Sequence, residues 1–350
     1  MKLSRKKVNV GGLTLGGDKI YIQSMLNVPA EDIENSVKQA IALEKAGCDI
    51  IRAAVPRVED AELISALKKA VSVPIVADIH FNYRIALACV GAGVDKIRIN
   101  PGNIGSSANV RAVADACRVR GIPIRIGVNS GSLERELLEK YGSPTPEALT
   151  ESALRHVELL NECGFDDIVI SIKSSNVRLM IAAYRLLASR VDYPLHLGVT
   201  EAGTEKMGVL KSAVGIGSLL CDGIGDTIRV SLTADPVREV YAAKDILKAC
   251  GLWKGAEIVS CPTCGRTKID LIPLAEKVEK MLEDVDIPIK VAVMGCVVNG
   301  PGEAREADVG IAGGNGEGII FRKGEILRRV PEEMILGELK KEIELIQKGR

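Results

Sequence analysis

Between residues 19 and 250 one pattern recurs eight times: a short β-rich run, a polar turn, then a longer stretch with helical periodicity. The β runs fall at 20–25, 50–55, 74–79, 96–100, 122–128, 168–172, 195–199 and 227–231. Stretches rich in Ala, Leu, Glu and Lys follow them, as at 32–46, 59–70, 147–163 and 236–249, and Gly47, Gly121, Gly164 and Gly251 stand where helices stop. Eight consecutive βα units of about 30 residues are the count of an α/β fold of the (β/α)8 TIM-barrel type. An open doubly wound sheet more often runs to five or six units and ranks second.

Ahead of the first unit, VNV at 8–10 and LTL at 13–15 flank Gly11-Gly12, a two-residue hairpin signal that reads as a lid on the bottom of the barrel. After Gly251 the character changes. Runs at 257–259, 290–294, 309–312 and 318–321 read as strands, and 270–282 and 332–347 as helices. The expected organisation is therefore a barrel domain over 1–251, a hinge linker over 252–256 and a small α+β domain over 257–350. A length of 350 residues suits two domains.

The chain carries 46 Lys+Arg against 46 Asp+Glu, which argues against a general nucleic-acid binder. The opening MKLSRKK is not followed by an apolar signal core. The longest apolar run, counting glycine, is 85–94, about half of what spans a bilayer. The expectation is a cytoplasmic protein without a membrane or nucleic-acid partner. Nine cysteines in such a chain point to metal or redox use in preference to a disulfide framework.

In a barrel of this kind the active site lies at the C-terminal ends of the strands. Alternation puts Lys96, Arg98 and Asn100 on one face of the fourth strand, and Arg125, Gly127 and Asn129 together on the fifth. It aligns Ser171 with Lys173, His196 with Thr200, and Arg229 with Ser231; Glu201 follows in the seventh loop. The third strand gives Asp78 and His80, the second Arg52, and the first ends in Gln23-Ser24-Met25. Barrel interiors are usually filled by branched apolar side chains, so four arginines and a lysine at one mouth read as a site for a compact polyanion. The competing reading is an ion-pair network closing the barrel top, with Asp78 and Glu201 as counter-ions. His80 reads equally as a general acid, a phosphate contact or a packing residue, and His156, within a helical pattern, as surface or core. The NPGNIG loop at 100–105 has the form of a ligand cradle, a weak signal by itself. The glycine run at 313–318 does not open a helix after a strand and reads as hairpin turns.

Six cysteines (48, 89, 117, 163, 221 and 250) are scattered through barrel helices or helix ends and read as small packing residues. The other three are Cys261 and Cys264 in a CPTC motif and Cys296 in MGCVVNGPGE at 294–303. A zinc ribbon would need a second CxxC and a thioredoxin-like dithiol would leave the third cysteine unexplained. Three thiolates suit a 4Fe-4S cluster with one iron left for a non-cysteine ligand, for which Glu303 is the nearest oxygen donor. Spacing alone leaves zinc open.

Long segments resemble one family. VADIHF at 76–81, KIRINPGNIG at 96–105, PIRIGVN at 123–129, HLGVTEAG at 196–203, DTIRVSLTAD at 226–235, SCPTCGR at 260–266 and VAVMGCVVNGPGEAR at 291–305 are similar to the bacterial 4-hydroxy-3-methylbut-2-enyl diphosphate synthase family. The likeness runs from about residue 7 to 342. It implies reductive, two-electron ring opening and dehydration of 2-C-methyl-D-erythritol 2,4-cyclodiphosphate in the non-mevalonate isoprenoid pathway. It further implies one 4Fe-4S cluster per subunit on Cys261, Cys264 and Cys296 with Glu303 as exchangeable fourth ligand, and Glu201 as proton donor or orienting carboxylate. Substrate contacts would come from Arg52, Asp78, His80, Arg98, Asn100, Arg125, Asn129, Ser171, Lys173, His196, Thr200, Arg229 and Ser231. Flavodoxin or ferredoxin would donate electrons to a homodimer in which the tail of one subunit closes over the barrel of the other. Where the family usually reads QSMTNT, this chain has Leu26 and Val28 in place of both threonines, leaving Ser24 and Asn27 as polar contacts from that loop.

Two further readings remain at this level. One is a non-redox barrel enzyme acting on a phosphorylated or pterin-like substrate, with a structural zinc in the tail. The other is an iron–sulfur sensor or scaffold whose barrel has lost catalysis; the full set of strand-end cations argues against it.

Overall fold

The computed structural model describes residues 6–253, 255–283, 285, 287–297 and 304–348. Two compact units divide at Gly251/Leu252. The first opens with a hairpin, β1 (Val8–Val10) and β2 (Leu13–Leu15), turned by Gly11 and Gly12 at φ 54° and 93°. Only a residue without a Cβ takes both positions of that turn readily.

Eight parallel strands follow: β3 (Tyr21–Met25), β4 (Ile50–Ala54), β5 (Ile75–Asp78), β6 (Lys96–Ile99), β7 (Ile124–Asn129), β8 (Ile168–Lys173), β9 (His196–Leu197) and β10 (Thr227–Ile228). Their order is β8-β7-β6-β5-β4-β3-β10-β9, and a bridge from Ile170 to Leu195 joins the two ends into a barrel. The strands are buried on both faces, which is why they read as runs of Ile, Val and Ala. Val8, Val10 and Leu15 pack with Tyr21, Ile50, Val76 and Val169, near the N-terminal ends of the strands. The hairpin thus closes the bottom and leaves the opposite mouth for chemistry.

The outer helices are α1 (Ile33–Lys45), α2 (Ala61–Ala70), α3 (Tyr83–Gly91), α4 (Ser107–Arg120), α5 (Arg135–Tyr141), α6 (Pro146–Glu162), α7 (Val177–Ala188), α8 (Glu205–Cys221) and α9 (Pro236–Ala249). Local chemistry sets their ends. Thr145 caps α6 by accepting the Ala148 N–H at 3.1 Å, with Pro146 at the first helical position. Gly121 ends α4 in the left-handed conformation.

In the second unit, β11 (Glu257–Ser260), β12 (Lys290–Met294) and β13 (Val309–Gly313) run parallel; β14 (Glu317–Arg322) and β15 (Glu325–Pro331) continue the sheet antiparallel. Helices α10 (Leu271–Leu282) and α11 (Ile335–Lys348) cover one face through Val278, Leu282, Leu339 and Ile343. On the other face Phe321 lies over Gly310, where a Cβ would come within 2.4 Å of the ring.

Four expectations need correction. The seventh and eighth strands are two residues each, so Thr200, Arg229 and Ser231 all lie beyond them, and neither Thr200 with His196 nor Ser231 with Arg229 shares a strand. β15 and α5 were not anticipated: β15 is an exposed edge strand with no apolar alternation, and α5 is only seven residues long. Of the six scattered cysteines, Cys48, Cys89, Cys117 and Cys163 are buried, but Cys221 is exposed and Cys250 half-buried against it. Finally, Ser24 and Asn27 are already engaged. Ser24 donates to Glu239 at 2.9 Å, Asn27 pairs with Gln39, and Leu26 is buried.

Candidate active site

Parallel register places charged residues side by side at the C-terminal mouth of the barrel. Asp78 pairs in register with Arg98, Arg98 with Arg125, and Asn129 with Lys173. Asp78 stands 3.3 Å from Arg98, 3.9 Å from Arg52 and 3.6 Å from the exposed His80. The Arg98 Nη2 also donates to the Gly127 carbonyl at 3.0 Å, and a Cβ at Gly127 would sit 2.4 Å from the guanidinium. Glycine at that position therefore makes room for the arginine.

Six cations share this region: Arg52, Lys96, Arg98, Arg125, Lys173 and Arg229, all buried except the half-buried Arg229. Two buried carboxylates accompany them, Asp78 and Glu239. Burial, then the neighbouring arginines, pushes Lys173 well below its ordinary range; burial, then Arg125 and Arg52, does the same to Lys96. Burial leads again for Arg52, driven down to about 10, where Asp78 opposes the fall and Arg229 and Arg98 add to it. His196, fully buried, is held neutral first by burial and then by Arg125, Lys173, Lys96 and Arg52. Burial alone would raise Asp78, but Arg52, His80, Arg98 and Arg125 together keep its carboxyl below the carboxylate range.

Burial is the larger cause of each fall among the basic groups, and the neighbouring cations add to it. Several polar atoms are buried without a hydrogen-bond partner: Lys96 Nζ, Arg125 Nε and Nη1, His196 Nε2, and both amide atoms of Gln23. Buried donors left unpaired cost about 1–3 kcal/mol each, and guanidinium groups stay protonated regardless. A bound polyanion would answer both the charge and the donors. The pure ion-pair reading fails on composition. Asp78 does bridge arginines, but Glu201 makes no ion pair among the described residues. It is exposed, with its backbone in the left-handed region at φ 50°, a conformation non-glycine residues adopt at some cost.

Other anticipated residues divide by what they touch. Asn100 Oδ1 accepts the Gly127 N–H at 3.1 Å and Ser171 donates to the Ile126 carbonyl at 3.1 Å, so both are tied into the barrel wall. His196 Nδ1 lies 2.8 Å from Thr227 Oγ1. Asn129, Thr200 and Ser231 are half-buried. Lys96 and Gln23, to which the sequence reading gives no role, both carry orphaned buried atoms, and Lys96 lies within the field of Arg125 and Arg52. His156 is buried. Its Nδ1 accepts the Gly102 N–H at 3.3 Å while Nε2 lies 2.9 Å from Glu134, which anchors the loop after β6. Glu239 carries no motif of its own; the only sequence signal is an acid in the first turn of the helix that follows the last strand.

The thiols of the second unit sit at the C-terminal edge of its parallel strands. Cys261 directly follows β11 and Cys296 follows β12 by two residues. The Gly295 N–H donates to Cys261 Sγ at 3.1 Å, and the Cys261 N–H to the Val293 carbonyl at 3.3 Å. Cys264 is exposed, its thiol lowered chiefly by the Arg266 backbone N–H and side chain. Among the described residues no three His, Cys, Asp or Glu stand close enough to hold a metal ion, and Glu303 lies outside them. Three thiols stand on adjacent loop ends, with the Gly295 N–H directed at Cys261 Sγ and Arg266 lowering Cys264, donors of the kind an iron–sulfur group takes.

A family model described as the GcpE TIM-barrel domain matches residues 5–244, and one described as the GcpE protein C-terminal domain matches 257–345. A protein of Caldanaerobacter subterraneus subsp. tengcongensis, named 4-hydroxy-3-methylbut-2-en-1-yl diphosphate synthase (flavodoxin), is 58% identical over 350 residues, covering 99% of each chain. One of the same name from Clostridium perfringens is 60% identical over 343 residues, covering 97% of this chain and 98% of its own. Among solved structures, a dihydropteroate synthase from Xanthomonas albilineans aligns at TM-score 0.52 and 15% identity over 70% of this chain and 98% of that one, a likeness of barrel fold alone.

Proposed function

Since the chain belongs to the GcpE family, we propose that its cationic barrel mouth performs the reaction of its named relatives. It is an oxidoreductase of the non-mevalonate isoprenoid pathway, forming 4-hydroxy-3-methylbut-2-enyl diphosphate. The substrate of this reading is 2-C-methyl-D-erythritol 2,4-cyclodiphosphate. The observation that supports the reading is the imbalance of five cations, Arg52, Arg98, Arg125, Lys173 and Arg229, against Asp78 and Glu239.

Arg52, Arg98, Arg125, Lys173 and Arg229 would hold the cyclic diphosphate, arginine in bidentate fashion and lysine as a point charge. Asp78 keeps Arg52 and Arg98 oriented and His80 beside it. Asn100 and Ser171 would act from the wall, and Asn129, His196, Thr200 and Ser231 around the bound ring. With the diphosphate fixed by charge, the carbon skeleton faces the solvent side of the mouth, where Glu201 would supply or direct a proton. Cys261, Cys264, Cys296 and Glu303 would hold a 4Fe-4S cluster, one per subunit, whose chemistry when bound would be single-electron transfer, with flavodoxin, as the relatives' name has it, or ferredoxin as the donor. Glu303 matters in this reading because a carboxylate ligand exchanges where a thiolate would stay. A homodimer in the cytoplasm completes the proposal; no described helix is long and apolar enough to cross a membrane.

Two substitutions test the assignments. Glu303→Ala should retain part of the iron while nearly abolishing turnover, and normal activity would contradict the ligand role. Arg125→Ala should raise KM for the cyclic diphosphate much more than it lowers kcat. An unchanged KM would remove Arg125 from the diphosphate site.

A further inference from the structure

Glu239 saturates both its oxygens at the edge of the cationic cluster. Its Oε2 accepts from Ser24 Oγ at 2.9 Å and from Arg229 Nε at 3.2 Å. Its Oε1 accepts from Arg229 Nη2 at 3.1 Å and from the Leu232 N–H at 3.1 Å. The carboxylate is 2% exposed and lies in the first turn of α9, where the helix favours negative charge. Four donors from the first strand, the eighth-strand loop and the arginine itself fix it rigidly.

The consequence falls on Arg229. With the Nε–Nη2 edge committed, Nη1 is left pointing at Met25 Sδ, 3.6 Å away. The same sulfur accepts from Arg52 Nε at 3.0 Å and Nη2 at 2.7 Å. A thioether is a weak acceptor on a flexible side chain, yet two guanidinium groups converge on it. They repel one another, and Arg229 stays there because Glu239 holds it. We infer that Glu239 is a positioning residue that aims Arg229 beside Arg52, so that the N–H groups both now direct at Met25 Sδ would serve one anionic oxygen in its place.

This rests on the diphosphate reading of the mouth, and the alternative role is separable by sign. A carboxylate that merely neutralised the cluster would weaken anion binding, so its removal would tighten it. A positioning carboxylate does the reverse. The test is a double-mutant cycle on the full-length, anaerobically purified holoenzyme, with wild type, E239Q, R229A and E239Q/R229A. Two readouts are taken: titration with inorganic pyrophosphate, and KM and kcat for the cyclic diphosphate. E239Q should weaken pyrophosphate binding and raise KM by roughly tenfold, with kcat less affected. On the R229A background the same change should alter either value by less than about twofold. Tighter or unchanged binding in E239Q, or the full loss repeated on R229A, overturns the inference. If E239Q does not fold, Glu239→Asp takes its place: it keeps the charge but withdraws it from Arg229, and unchanged affinity would again overturn the role. Wild-type enzyme that fails to turn over the cyclic diphosphate would count against the function reading, whereas the pyrophosphate cycle reports on Glu239 separately.

Discussion

Lys96 shows what the cationic mouth costs the fold. Its ammonium is fully buried with no partner, among Arg125 and Arg52. Replacing it with methionine removes an unsatisfied group at nearly constant volume, so Lys96→Met should raise stability by about 1–3 kcal/mol and weaken diphosphate binding. Denaturant unfolding and a binding titration check both halves, and a destabilised variant would contradict the account. His196 gives a pH signature. Its folded value lies well below the ordinary one of about 6.5, so between the two the unfolded chain binds more protons. Stability therefore rises with pH through that window, levels off above it, and is lost as pH falls. His196→Asn, which can still face Thr227, should flatten the slope below pH about 6.5. An equal slope in both proteins would mean that His196 does not titrate on unfolding. At this scale the sequence was legible where charge broke the apolar pattern of a strand, as at Arg98 and Arg125. It was silent on Glu239 and His156, whose roles depend on partners 7 to 215 residues distant.

Among elements, the hairpin β1–β2 separates stability from chemistry most cleanly. Leu15 is fully buried at the closed end of the barrel. Leu15→Ala should cost roughly 2–5 kcal/mol while leaving KM unchanged, measured by unfolding and by steady-state kinetics on the same preparation. A raised KM would show that the two ends are coupled. The barrel's eight strands were legible from the repeat because parallel strands buried on both faces leave continuous apolar runs. The same rule explains the failures. β15 lies at a sheet edge with arginines and glutamate outward, and carries no such run. β9 and β10 are two residues each; just beyond them the Arg229 N–H still donates to the Leu197 carbonyl at 2.9 Å, and Gly198 leaves room where a Cβ would come within 2.8 Å of the Arg229 carbonyl. Thr200 and Ser231 consequently reach the mouth from loops.

For the molecule as a whole, zero net charge conceals a division of labour. In the proposed function, the positive charge gathered at one end of the barrel would hold a small dianionic ring, and the thiols at the edge of a separate sheet would serve electron delivery. The family was legible from motifs that place these groups at strand ends in both units, and the matches to 5–244 and 257–345 cover both. Geometry between three cysteines could not be read from spacing, since it depends on how two loops pair across β11 and β12. The central claim is that one chain couples an anion-holding barrel to a redox thiol site. Its most direct measurement is anaerobic turnover of 2-C-methyl-D-erythritol 2,4-cyclodiphosphate with a strong one-electron reductant, with iron and acid-labile sulfide counted in the same sample. The account predicts about four irons per chain, formation of the allylic diphosphate, and loss of both in Cys296→Ser. Iron-replete protein that forms no product, or equal turnover with zinc in place of iron, would contradict it.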